Sequence, residues 1–387
     1  MRKGRLYAGL LVPTLAVSLA ACGNSGESTS PASTTLAPPT NTVNLAGICP
    51  ATVVVQMDWE PEAEHAGAYE LVGAGYTIDS DKKRVSGPLV IDGMNTGVKI
   101  EVRAGGSAIG FQNVSSQMYV DKEITLGAIT TDSAISASTT QPVTAVVSPL
   151  NRSPQMLMWD PATHHDWNTI GDIGRTDAKV VVSTGSPYPS MLVEKGLVKQ
   201  SQIDTSYDGA PARFVANPGI AQQGFATAEP YIYQHEVQAW QKPVKYQLLV
   251  DVGYDVYPEA LSVRTADLTT LSPCLKKLVP ILQKAQANYI ADPAAANKLI
   301  VETVRKYNDS WTYSADVADF AVKAMKDLKI VANDTTGPIG GMDPARVQSA
   351  IDTFAPILTS TGAKVKDGLK AADIATGEFI DKTVRTQ

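Results

Sequence analysis

The sequence predicts an α/β fold in which mostly parallel sheets are flanked by helices and followed by a helical C-terminal tail. Three observations lead there. Short β-branched runs alternate with helix-compatible stretches from Thr52 to Val250, the rhythm of βαβ units. From Pro273 onward, apolar residues recur at spacings of three and four, as on one face of a helix. The chain has 387 residues, 44% of them hydrophobic and 19% charged, enough for two or three globular units with real cores. A chain of that balance is not disordered throughout.

Each element has its own signal. Thr52–Met57 (TVVVQM) reads as a strand, and Ala63–Gly75 as the helix after it. Val98–Val102 is a second strand, leaving a turn at Gly93–Gly97. Ile124–Ile129 is a third, followed by a small-residue helix at Asp132–Ser138, and Thr144–Ser148 is a fourth. Val180–Ser183, Arg213–Ala216 and Tyr246–Val250 continue the strand series. In the tail, helices are expected at Leu278–Tyr289, Ala294–Tyr307, Ala315–Leu328 and Ala345–Leu358. Asp292-Pro293 and Asp343-Pro344 each set a capping residue before a proline suited to the first helical position.

The ends of the chain and its cysteines bear on compartment. Arg2, Lys3 and Arg5 precede an uncharged apolar run, Leu6 to Ala20, of signal-peptide length and short for a membrane span. It ends in Leu19-Ala20-Ala21-Cys22, which resembles the lipobox of bacterial lipoproteins, with Cys22 as the lipid acceptor. A plain secretory signal with an incidental cysteine is the alternative. Residues 1–21 are thus expected to be a leader, and residues 22–48 a lipidated cysteine with a Ser/Thr/Pro-rich tether. Three cysteines exclude a disulfide-dense scaffold. In an oxidising compartment Cys49 and Cys274 are expected to pair, the alternative being two separately buried thiols. The formal charge of −6, which becomes −9 without the three basic leader residues, argues against nucleic acid as a partner.

The segment VVVQMDWEPEAEHAGAYELVGAGY, residues 53–76, resembles the opening of the NMT1/THI5-like family of substrate-binding proteins. Gly224-Phe225-Ala226-Thr227-Ala228-Glu229-Pro230-Tyr231 resembles that family's later Glu-Pro strand end. The resemblance runs from Thr52 to about Val263 and matches the tail in character only. It implies a type II periplasmic-binding-protein fold, with one lobe from residues 49–150 plus 251–387 and the other from 151–250. The lobes would be joined by a hinge near Thr144–Pro149 and Leu248–Tyr254. It also implies an extracytoplasmic, lipid-anchored protein that captures a small solute and works with an ABC permease and a separate ATPase. The solutes of that family include thiamine pyrimidine precursors, riboflavin, nitrate and sulfonates, and no cofactor is implied.

Ligands of open α/β sheets bind beyond the carboxyl ends of strands, which directs attention to a few residues. Trp59, Tyr69, Tyr188 and Tyr231 offer stacking faces, while His65 and Glu229 offer hydrogen bonds to a ring edge. Ser186, in Gly185-Ser186-Pro187-Tyr188, lies where backbone N–H groups could hold an anion or carbonyl, and Thr131, Asp132 and Ser133 occupy an equivalent strand end. Each has a structural alternative: a core plug for the aromatics, a cap or packed ring for His65, a held turn for Glu229. An aromatic heterocycle or a sulfonate-like solute would suit this set.

Other chemistry is less supported. His164-His165-Asp166 lacks a third ligand at useful spacing, and His235-Glu236 lacks the His-Glu-x-x-His pattern, so no metal site is expected. No Walker loop and no Gly-x-Ser-x-Gly elbow occurs, so neither ATP binding nor acyl transfer is expected. The pyrimidine synthases of the same family carry a donor histidine and a lysine in a segment like Gly127–Ser138, which here has neither. An enzyme is therefore not expected. A surface sensor or adhesive lipoprotein using the same fold remains an alternative role.

Overall fold

The structure is a computed structural model describing residues 43–334 and 337–386. The leader, Cys22 and the first part of the expected tether lie outside the described residues. Residues 43–48, also assigned to the tether by sequence, belong to the packed body. Leu45 is fully buried, and its N–H donates to the Thr96 carbonyl at 2.8 Å. Val43 packs on the same core, Lys277 Nζ donates to the Asn44 carbonyl, and Cys49 follows directly, so the segment is tied at several points.

Two sheets form the framework. The first has seven strands in the order β2-β3-β4-β1-β5-β12-β6. In chain order these are β1 (Thr52–Gln56), β2 (Thr77–Asp79), β3 (Arg84–Ile91), β4 (Met94–Arg103), β5 (Ile124–Ile129), β6 (Val143–Val147) and β12 (Ala260–Arg264). The second has five in the order β11-β7-β10-β8-β9. These are β7 (Gln155–Trp159), β8 (Val180–Val181), β9 (Ile203–Asp204), β10 (Ala221–Phe225) and β11 (Lys245–Leu248). The chain therefore crosses from the first sheet to the second through 148–154 and returns through 249–259.

The sheets are mixed rather than mostly parallel. Parallel pairing is confined to β4-β1-β5 and β10-β8-β9. β1 and β5 are buried along nearly their whole length, as continuous apolar strands should be at the centre of a parallel stack. In the second sheet β7 pairs antiparallel with both β10 and β11; in the first, beyond the β2–β3 pair, antiparallel pairing has two sources. One is the hairpin β3–β4, whose turn residues Asp92 and Gly93 both have positive φ (50° and 73°), the geometry that suits a right-twisted hairpin. β3 alternates buried and partly buried residues because one face is only partly covered. The other is β12, which returns from the second sheet and inserts antiparallel between β5 and β6.

Arg213–Ala216, expected as a strand, lies in a helical turn, Ala212–Ala216, with Pro211 before it and Phe214 buried. The helix expected over Ala63–Gly75 is also shorter: a 3-10 turn at Ala63–His65 runs into one helical turn, Ala66–Tyr69.

The tail helices are Leu268–Ala291, Ala294–Tyr307, Ala315–Asp327 and Pro344–Ser360. The first begins ten residues before the expected start and carries Pro273 and Pro280 within it. Asp343 caps the last by accepting from the Ala345 N–H at 2.8 Å, with Pro344 next to it. A disulfide joins Cys49, just before β1, to Cys274 in the first tail helix, across 225 residues and with a Cα–Cα distance of 4.7 Å. No helix among the described residues is long and apolar enough to cross a membrane.

Candidate functional site

β1 delivers the chain to Asp58 and the acidic run that follows. Its direction and the tight turn after it set Glu62, Glu64 and His65 below the carboxyl end of the first sheet. Gly67 permits this turn to lie close on the helix Leu268–Ala291, since a Cβ there would sit 2.2 Å from Gln286 Oε1. The His65 side chain is 1% exposed, and its Nε2 lies 3.1 Å from Asp58 Oδ1 and 3.7 Å from Glu259 Oε2. Glu259 comes from the second crossing, immediately before β12, in a left-handed conformation (φ 51°) that a non-glycine residue rarely adopts.

The second sheet closes on this group. Thr227, just beyond β10, donates its hydroxyl to Glu64 Oε1. Glu229 accepts from the Phe225 N–H at 2.7 Å and from the Tyr207 hydroxyl at 3.3 Å. Trp59 packs beside Phe111 and Trp311, with ring centroids 5.8 and 6.1 Å away. A Cβ on Gly209 would be 3.5 Å from its ring, so Trp59 reaches the loop that carries Tyr207. Phe111 is 58% exposed and forms an apolar rim.

The electrostatics are one-sided. Burial pushes the carboxyls of Glu62 and Glu259 well above the usual range, and facing carboxylates push them further. Glu64 is raised by burial against the opposing effect of the Thr227 hydrogen bond. Glu229 is pushed up to about 7, again chiefly by burial. Carboxylates gathered out of water stay ionised only beside a compensating cation; otherwise they take up protons. The arrangement is built to receive positive charge or strong hydrogen-bond donors.

The sequence-expected residues divide into two groups. Trp59, His65 and Glu229 belong to the surroundings just described. Thr131, Asp132 and Tyr188 lie instead in the packing around the second crossing. The Thr131 N–H donates to the Tyr257 carbonyl at 3.1 Å, and the Tyr257 N–H donates to Thr131 Oγ1 at 3.1 Å. Asp132 accepts from the Tyr254 hydroxyl at 2.8 Å. Tyr188 is fully buried, donates to Gln223 Oε1 at 2.8 Å and packs against Tyr254. Ser133 accepts from the Thr130 hydroxyl, and Ser186 is partly exposed before the helix Tyr188–Glu194. Tyr69 is buried in the first core, and Tyr231 packs on His235 and Phe320. In this conformation the faces of Tyr69 and Tyr188 are covered by protein.

Glu259, Thr227, Tyr207 and Gln286 were not expected from sequence. Glu62 and Glu64 had a signal, the Glu-Pro-Glu-Ala-Glu-His run, that was weighed only at its ends. Glu259 had none, since only tertiary structure returns it to His65.

No protein-family model matches the chain, and no curated protein matches its sequence. Solved structures do. The alkanesulfonate-binding protein SsuA from Xanthomonas axonopodis pv. citri, bound to MOPS, superposes with a TM-score of 0.53 at 12% identity, covering 84% of this chain and 99% of that one. The periplasmic aliphatic sulphonate binding protein SsuA from Escherichia coli gives a TM-score of 0.51 at 13% identity, covering 82% and 91%. A protein from Bordetella bronchiseptica RB50 gives 0.54 at 15% identity, covering 85% and 96%. At such identities the likeness concerns architecture. Two mixed sheets flanked by helices, two crossings and a helical C-terminal segment are the periplasmic-binding-protein fold, and this chain has it.

Proposed function

We propose that the chain is an extracytoplasmic solute-binding protein, anchored through a lipid on Cys22, which captures a small solute between two lobes for an ABC permease with a separate ATPase. The lobes are residues 49–150 plus 251–387 and residues 151–250. The observation that carries this reading is the meeting of polar side chains from both sheets at the crossing: Glu64 with Thr227, and Glu229 within the field of Glu64 and Glu62. A solute contacting both sides favours the closed arrangement over the open one.

Of the two solute classes expected from sequence, a ring bearing amino or ring N–H donors fits the carboxylates, with Trp59 supplying a stacking face. A sulfonate brings negative charge to a negative site, so what binds to the alkanesulfonate-binding neighbours is not carried over. The test is a thermal-shift panel on the purified protein with thiamine pyrimidine precursors, riboflavin, taurine and aliphatic sulfonates. A ligand at about 100 times its Kd adds about 2.7 kcal/mol. A shift with amino-substituted rings supports the reading. A shift with sulfonates alone overturns the solute class, and no shift with any small molecule overturns capture.

A further inference from the structure

We propose that Asp58, His65 and Glu259 form a binding site for a divalent cation of the transition-metal type, where the chain leaving β1 meets the residue before β12. The three offer one nitrogen and two carboxylate oxygens, all within 4.8 Å of one another. Metal bonds of about 2.0–2.2 Å place neighbouring donor atoms about 3 to 3.6 Å apart in tetrahedral or octahedral sites. The separations from His65 Nε2 are 3.1 and 3.7 Å.

A protonated imidazole between the two carboxylates is the competing arrangement, and metal uptake separates the two. His65 Nδ1 is buried with no hydrogen-bond partner in either case. A cation between the three satisfies both carboxylates and the Nε2 lone pair together. Nδ1 then carries the proton, as the outer nitrogen of a metal-bound histidine usually does.

A second, independent feature points to the same place. Gln286 is 2% exposed, and neither its Oε1 nor its Nε2 has a hydrogen-bond partner. It lines one small cavity with Glu64, His65 and Glu259, whose remaining wall is largely apolar (Met57, Leu261, Leu282) and which Asp58 borders from outside the lining. Gln286 Oε1 is available there as a further ligand or as acceptor for the Nδ1 proton. Asp58, with its side chain 35% exposed, gives the ion access from solvent. A donor set of imidazole and carboxylates suits Zn²⁺, Co²⁺ or Ni²⁺ better than Ca²⁺ or Mg²⁺.

The inference deepens the capture reading, on which its biological role rests, while the site itself does not depend on it. Chelator-treated protein should take up one equivalent of Zn²⁺, measured by elemental analysis after gel filtration. Titration with Co²⁺ should give a d–d absorption band unlike that of the aqueous ion. Glu259→Gln and His65→Gln should each weaken uptake about tenfold or more, with circular dichroism showing that each variant is folded. His165→Gln, at an exposed histidine, should leave uptake unchanged. Substoichiometric uptake, uptake unaltered in Glu259→Gln, or loss in His165→Gln overturns the site. If Zn²⁺ fails while a small molecule from the panel still shifts the melt, capture stands and only the ion site falls.

Discussion

The Thr227 hydroxyl donates to the carboxylate of Glu64, joining a residue just beyond β10 in the second sheet to one beyond β1 in the first. Both side chains are buried. Glu64 lies at the lobe junction with other carboxylates, so its donor matters more than a surface one. Thr227→Val keeps the shape and removes the donor. Leaving a buried acceptor unsatisfied costs about 1–3 kcal/mol. We expect a lower melting temperature and, by small-angle scattering, a larger radius for the unliganded variant. A variant with wild-type melting and dimensions would show that the bridge contributes nothing to closure.

Stability should depend on pH in a direction set by the same carboxyls. Glu229 is raised by burial from 4.5 to about 7, and Glu62 and Glu259 are raised well above their ordinary value. A carboxyl raised in the folded state binds more protons there than in the unfolded chain. Cation-free protein should therefore lose stability as pH rises from about 4.5 through about 7 for Glu229, and further still for Glu62 and Glu259, and regain it on acidification. For one fully enclosed group that shift is worth about 3 kcal/mol, and less for Glu229, which keeps some exposure. Melting temperatures measured across this range should fall as pH rises, and Glu229→Gln should flatten the curve. A rising curve would mean that the carboxyls are already compensated.

The disulfide between Cys49 and Cys274 closes a loop across 225 residues. Chain-entropy arguments put the stabilisation from so long a loop at about 5 kcal/mol as a ceiling. Unfolded, unreduced protein should expose neither thiol to labelling, and reduction should lower the melting temperature. Labelling of both cysteines before reduction would remove the bond.

What the sequence disclosed follows from how local each signal is. Ile124–Ile129 was legible to the residue because a fully buried strand reads as a mostly apolar run with polar flanks, its one hydroxyl, on Thr125, accepting from the Val54 N–H. The hairpin β3–β4 was not, because Gly97, with φ of 81° inside β4, reads as a turn when its partner strand is unknown. β12 follows the turn at Pro258-Glu259, but nothing local shows that its place is antiparallel between β5 and β6. At the site, His65 was visible beside a strand end, whereas Glu259 reaches it only through the second crossing. Tyr188 shows the limit of an aromatic signal: Gly-Ser-Pro-Tyr can face a cleft or plug a core. The hydrogen bond to Gln223, a tertiary contact, puts it in the core here.

Anchoring rests on Leu19-Ala20-Ala21-Cys22. Cys22→Ser should move the protein from the membrane pellet to the soluble extracytoplasmic fraction. Sedimentation like that of the wild type would leave a plain leader with an incidental cysteine.

Trp59 gives the sharpest test of where the solute lies. Its ring stands between Phe111, Trp311 and the loop of Gly209, partly exposed, and next in sequence to Asp58. A ring solute that presents donors to the carboxylates can stack on this face, gaining about 1 kcal/mol beyond the area buried. Trp59→Ala should weaken binding of any solute found by the thermal panel about tenfold or more by calorimetry. Zn²⁺ uptake at Asp58, His65 and Glu259 should stay within a few-fold, since Trp59 supplies no ligand atom. Glu229→Gln should weaken solute binding too, while the free protein keeps its stability near neutral pH, because Gln retains an oxygen for the Phe225 N–H and removes a carboxylate whose ionisation burial opposes. If Trp59→Ala leaves solute affinity unchanged and only lowers the melting temperature, Trp59 is a packing residue between lobes. The solute would then contact the carboxylates without an aromatic face.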